Sequence, residues 1–204
     1  MSTAVAGGDR VAVERWAGEV RVNLVRLVAL IAFYAYHLFD VYQNRDNQAY
    51  TPQYRASVAA VAFAWAGVVV LAHAGLRPGR LPVALPIFTT LADAALVTAL
   101  VTVSGGPKST PLVLLYLLVV AAAPPRLSLR LVWLATAAAG LGYLIALGHY
   151  VFVRIGTTTY YSDAALRIPR PQEAITVLAI LTAGLLAGQA VRQALRLTTR
   201  EAVP

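Results

Sequence analysis

The sequence predicts an all-α membrane protein: a polytopic bundle of six transmembrane helices with both termini in the cytoplasm. Three observations predict it. Hydrophobic residues make up 59% of the chain and charged residues only 13%, against about 25% charged in soluble domains, and the mean hydropathy is +0.67. Six apolar runs approach the ~20 residues needed to cross a hydrocarbon core as a helix. The runs lack the two-residue alternation of a membrane barrel, so helices are the spanning structure.

The first 21 residues read as a cytoplasmic amphipathic lead-in, with no apolar core of signal-peptide type. The six-helix transmembrane domain is placed at 22–192, and 193–204 form a cytoplasmic helical tail. The spans fall at Val22–Tyr42, Ala56–Gly75, Leu81–Ser104, Pro111–Pro124, Leu131–Val153 and Ala174–Arg192. The fourth is short and crosses with little tilt. Between the third and fourth, "SGGPKSTP" is expected to form a hairpin. Gly105, Gly106 and Pro107 make its turn, Ser109 or Thr110 caps the next helix, and Pro111 takes the first helical position. Only Gln43–Arg55 and Arg154–Glu173 are long connections, and neither has room for a folded domain. Pro171 followed by Glu173 is an ordinary start for the last helix. Gly184 and Gly188 form a G-x-x-x-G pair widened by Ala183 and Ala187, which suits close helix approach within the bundle or between protomers.

The formal net charge is +8. Because the arginines sit at the ends of apolar runs, they read as topology signals and lipid head-group contacts rather than a nucleic-acid surface. Of the 17 Lys and Arg, Arg45, Arg55, Lys108, Arg154, Arg167 and Arg170 fall on one side. The rest, among them Arg26, Arg77, Arg80, Arg126 and Arg192, fall on the side of both termini, which is therefore taken as cytoplasmic. Tyr50, Tyr54, Tyr160 and Tyr161 sit on the opposite, outer side, as interfacial aromatics would.

Few residues offer chemistry. Asp93 lies 12 residues before Gly105, roughly 18 Å along a helix. A lone carboxylate at that depth should face the bundle interior. It is either a proton or ligand contact, or a carboxyl joining helices with Thr89, Thr90 or a neighbouring span as partner. His37 and Asp40 share a helix face near the outer end of the first span, beside Tyr34, Tyr36 and Tyr42. They could bind a small polar ligand, a quinone head group or a metal ion; an interfacial hydrogen-bonded pair is the favoured alternative. A tentative ligand pocket thus comprises His37, Asp40, Asp93 and Tyr116. His73 and His149 share no metal-ligand spacing with His37, and cysteine is absent, so neither a metal site nor a cofactor is expected. No nucleophile elbow, phosphate loop or metalloprotease motif occurs, and no catalytic residue is expected.

With these residues in hand, the chain resembles the six-helix membrane input domain of bacterial sensor histidine kinases, the type found in pilus-regulating and redox-regulating kinases and some membrane nucleotide cyclases. Three stretches carry the resemblance: the first span "VRVNLVRLVALIAFYAYHLFD", Asp93 followed by "SGGPKSTPLVLLYLLVV", and a sixth span running out as a charged helix. The likeness covers roughly residues 20 to 197. It implies a sensor-like module of the bacterial cytoplasmic membrane. After "RQALRLTTREAVP" no phospho-accepting histidine box, ATP-binding domain or cyclase domain follows, so the expected module is non-enzymatic. Its expected partners are the bilayer and a cytoplasmic signalling protein reached through the last helix, with a homodimer compatible. The rivals are an accessory subunit of a respiratory or photosynthetic membrane complex, and a small proton-coupled transporter using Asp93.

Overall fold

The protein is described by a computed structural model at residues 3–43, 51–76, 82, 84–108 and 111–200. Long helices account for most of it: α1 (Thr3–Gln43), α2 (Pro52–Gly75), α3 (Ala84–Val103), α5 (Leu129–Gly148) and α7 (Arg170–Arg200). Between α3 and α5 lies a broken fourth segment, with a 3-10 turn at Pro111–Leu114, α4 at Leu115–Ala121 and a second 3-10 turn at Pro124–Arg126. The far end of α5 widens into a π-helix at His149–Ile155, and a short α6 (Thr157–Ser162) precedes α7. Among the described residues there is no strand. Five helices are long and apolar enough to cross a membrane, and the apolar run Leu112–Arg126 supplies the shorter fourth segment. The expected caps Ser109 and Thr110 lie outside the described residues, as do Arg45, Arg77, Arg80 and Tyr50.

Lipid tails are as apolar as leucine, so these helices associate through close packing and interhelical hydrogen bonds rather than by hiding apolar surface. Small residues therefore line the seams. On α5, Ala135, Ala139, Gly142 and Ala146 repeat every three or four residues on the buried face, where α5 meets α3 and α7. Gly142 lies so close to Thr98 and Tyr116 that a Cβ there would collide with the Thr98 hydroxyl. Tyr116 is fully buried there, donates to Thr98 Oγ1 at 3.0 Å and meets the Tyr143 ring edge-on. Val119, Val120 and Ala123 complete the inward face of the fourth segment, against Val132 of α5 and Ile180 and Val191 of α7.

Two turns fix the fourth segment at its ends. At one, Gly105 (φ 107°) and Gly106 (φ 87°) take left-handed conformations, and Gly106 N–H closes α3 on the Val101 carbonyl at 2.9 Å. A Cβ at Gly106 would run into the Tyr150 ring, so glycine is required twice over, for the backbone and for the space. At the other end Leu127 is left-handed (φ 51°) and donates to the Pro124 carbonyl at 2.9 Å. That sharp link turns the chain into α5 while Arg126 points back into the bundle, only 3% exposed.

The lead-in placed at 1–21 is not separated from the first span. α1 runs unbroken from Thr3, and Gly18 and Glu19 are already buried against the fourth segment, Gly18 on the Pro125 carbonyl. The G-x-x-x-G pair of α7 divides its roles. Gly184 abuts Thr136 of α5 so closely that a Cβ would collide with that side chain, whereas at Gly188 the nearest atom, Leu129 Cδ2, is at 3.9 Å. The tight contact is therefore intramolecular and sits at Gly184. Gly184→Val should lower unfolding stability in detergent by about 1–3 kcal/mol through overpacking, and more than Gly188→Val does. Equal losses for the two variants would contradict this assignment.

Candidate functional site, a buried ion-pair network

Helical phase sets up the site. Trp16, Glu19, Asn23 and Arg26 recur at three- and four-residue intervals along one face of α1. The opposite flank, with Leu24, Val25, Val28 and Ile31, is exposed to the surroundings as a lipid-facing surface. On α3, Thr89, Thr90 and Asp93 face inward within one turn of each other. α2 contributes Trp65, and the Pro124–Arg126 turn contributes Arg126.

These groups join. Arg26 Nε donates to both oxygens of Asp93, at 3.0 and 2.8 Å. Trp65 Nε1 donates to Asp93 Oδ1 at 3.2 Å. Arg26 Nη1 reaches Glu19 Oε1 at 3.4 Å. Arg126 donates through Nη2 to Glu19 Oε1 at 3.0 Å and to Thr89 Oγ1 at 3.2 Å, and through Nη1 to Thr90 Oγ1 at 2.6 Å. Its Nε lies 2.6 Å from Glu19 Oε2, an ion pair without the alignment of a hydrogen bond. Thr89 Oγ1 also donates to Glu19 Oε1 at 3.2 Å, and Thr90 Oγ1 to the Pro86 carbonyl at 2.7 Å. Beside them Asn23 Nδ2 donates to the Val69 carbonyl of α2 at 3.2 Å.

Two guanidinium groups thus balance two carboxylates, and the set is neutral as a whole. Exposure is 0% for Glu19, 6% for Arg26, 5% for Asp93 and 3% for Arg126. Any one of these charges alone would be costly at such depth, and together they offset one another. Four buried polar atoms on the same α1 face have no hydrogen-bond partner among the described residues: Trp16 Nε1, Glu19 Oε2, Asn23 Oδ1 and Arg26 Nη2. Both Asp93 oxygens and Glu19 Oε1 accept from arginine, tryptophan or threonine, and Glu19 Oε2 is held by its ion pair with Arg126, so the arrangement is built to clamp segments together rather than to act as a free base. What it can do is hold α1, α2, α3 and the fourth segment in one arrangement.

The four residues expected to form one pocket lie in separate clusters. Asp93 belongs to the network, partnered from neighbouring spans by Arg26 and Trp65, while Thr89 and Thr90 serve Arg126. Tyr116 bonds Thr98, more than a helical turn further along α3 from Asp93. His37 is buried eleven residues beyond Arg26 on α1, roughly 16 Å along the axis, among the rings of Phe33, Tyr34 and Tyr54. Asp40 is half-buried one turn further on. Arg26 and Arg126, taken from the sequence as surface topology signals, are buried ion-pair partners instead. Their place at the ends of apolar runs was visible in the sequence, but the phase that turns them inward was not. Glu19 was assigned to the lead-in for the same reason. The signal that would have found it is the polar repeat Glu19, Asn23, Arg26 read through the supposed start of the span. Among the described residues no three His, Asp or Glu side chains converge on a position that would hold a metal ion.

Residues 14–189 match the family model of the PilS-like transmembrane domain, 6TM_PilS. The match covers most of the chain and every member of the network, and the protein belongs to this family of six-span membrane domains, named for the sensor histidine kinase PilS. No curated protein and no solved structure matches the chain.

Asp93→Asn should leave Arg26 without its principal counter-charge. We expect a loss of about 3–5 kcal/mol in reversible detergent unfolding followed by circular dichroism. A change below about 0.5 kcal/mol, the size of a surface substitution, would contradict a structural role for the pair.

Proposed function

We propose that this chain is a non-enzymatic, sensor-like module of the bacterial cytoplasmic membrane, with both termini inside, that passes a membrane signal to a cytoplasmic signalling partner through α7. The observation that carries the reading is the length and continuity of that helix. α7 has 31 residues without a break, about 46 Å at 1.5 Å per residue, against a hydrocarbon core of about 30 Å. Roughly ten residues therefore extend beyond the core, at the end where the Arg126 turn lies. That turn also packs on α7, so a change in the network is felt by the helix that leaves the membrane. Family membership supports the same direction, since the family takes its name from a sensor histidine kinase.

In this reading Asp93 and Arg26 are parts of the transmitting network. Direct ligand contact is assigned to His37 and Asp40 at the other end of α1, and Tyr116 supports α3 from within. The orientation rests on the excess of arginine at the Arg126 end.

Purification of the full chain from its native membrane in a mild detergent, followed by mass spectrometry, tests the proposal. The expected result is a small assembly, a dimer included, carrying a kinase or another signalling protein. A stoichiometric complex with respiratory or photosynthetic subunits would overturn it in favour of an accessory-subunit role.

A further inference from the structure

A second polar cluster lies at the opposite end of the bundle. The last turns of α5, the π-helix, α6 and the first turn of α7 enclose a cleft of about 420 Å³. Its wall is apolar, with Leu144, Val151 and Phe152. Leu144 and Phe152 are 55% and 70% exposed, so the wall opens sideways onto the surface that faces lipid. Its rim is polar and cationic, with Arg167 and Arg170 beside Tyr160 and Glu173.

The rim is ordered by Tyr160, which is buried. The Tyr160 hydroxyl accepts from Ile168 N–H at 3.2 Å and donates to Glu173 Oε1 at 3.4 Å. Its carbonyl accepts from Arg167 Nε at 3.2 Å. Among the described residues Arg167 is thereby held by Nε alone, and its terminal nitrogens bond none of them. Arg170 makes no hydrogen bond or ion pair among the described residues, and every ion pair found there belongs to the Arg126-end network. The rim carries two cations with no ion-paired counter-charge against a single carboxylate, which Tyr160 already engages. It lies at the start of α7, where the helix enters the membrane and where tyrosines collect.

We propose that this cleft holds one anionic phospholipid, its phosphate on Arg167 and Arg170 and an acyl chain along Leu144, Val151 and Phe152. Guanidinium groups bind phosphate oxygens in bidentate fashion, and a phosphate carrying a tail is the ligand that satisfies rim and wall together. Free phosphate from solution shares the head-group chemistry but leaves the apolar wall unused.

Native mass spectrometry of the full chain, titrated with phosphatidylglycerol or phosphatidylcholine, tests this. One phosphatidylglycerol should be retained in preference to phosphatidylcholine. Arg170→Gln, which removes no side-chain hydrogen bond or ion pair among the described residues, should weaken that retention about fivefold. Arg167→Gln should act in the same direction, and Arg130→Gln, an exposed arginine at the other end, should leave it unchanged. Equal retention of the two lipids, or equal loss with Arg130→Gln, would overturn the proposal. So would full retention in Arg170→Gln. Displacement of the lipid by inorganic phosphate would refute the lipid as occupant in favour of a soluble anion.

Discussion

The charges carried by Glu19, Arg26, Asp93 and Arg126 must be neutralised within the bundle, because neither lipid nor solvent can reach them. Each has its counter-charge on a different part of the chain: Asp93 on α3 needs Arg26 on α1, and Glu19 on α1 needs Arg126 at the end of the fourth segment. Satisfying both pairs at once sets the rotation of α1 about its axis and its height against α3. It also sets the direction in which the fourth segment must end. Few arrangements of four segments meet all of these conditions, which is how a buried network of this kind adds specificity of arrangement.

Features elsewhere follow from that constraint. The left-handed Leu127 and the 3-10 turn before it are what a chain needs to aim Arg126 inward and still enter α5 at once. Gly18 gives α1 the clearance to approach the Pro125 carbonyl, which brings Glu19 within reach of the guanidinium. At the far end the glycines at 105 and 106 close α3 and let the turn settle on Tyr150. The middle of the fourth segment, around Tyr116 and Val120, is then packed inside the bundle. Its shortness is tolerable because its buried face meets protein rather than lipid.

The sequence made the helical membrane class, the long spans, the shortness of the fourth segment and the Gly105–Gly106 turn legible, because length, apolarity and glycine act locally. The site was legible only in part. Asp93 stood out because a carboxylate inside an apolar run is costly wherever it points. Arg26 and Arg126 did not, because an arginine near the end of an apolar run serves equally well at a membrane surface, and only tertiary packing decides between the two. Glu19 was hidden by the boundary chosen for the first span. The spacing of His37 and Asp40 sets them on one face of α1, yet sharing a face with each other says nothing of their distance from Asp93. The difference between Gly184 and Gly188 likewise depends on Thr136, a residue of another helix.

A neutral clamp of this kind ties α1, α3 and the fourth segment together at the Arg126 end of the bundle. The central claim is that Glu19 and Arg126 act as one unit. A double-mutant cycle of Glu19→Gln and Arg126→Gln, measured by reversible unfolding in detergent, tests it most directly. The account predicts that the double variant is less destabilised than the two single variants summed, with a coupling of at least about 1.5 kcal/mol. Additive losses, within about 0.5 kcal/mol, would show that the two side chains act independently and would contradict the account.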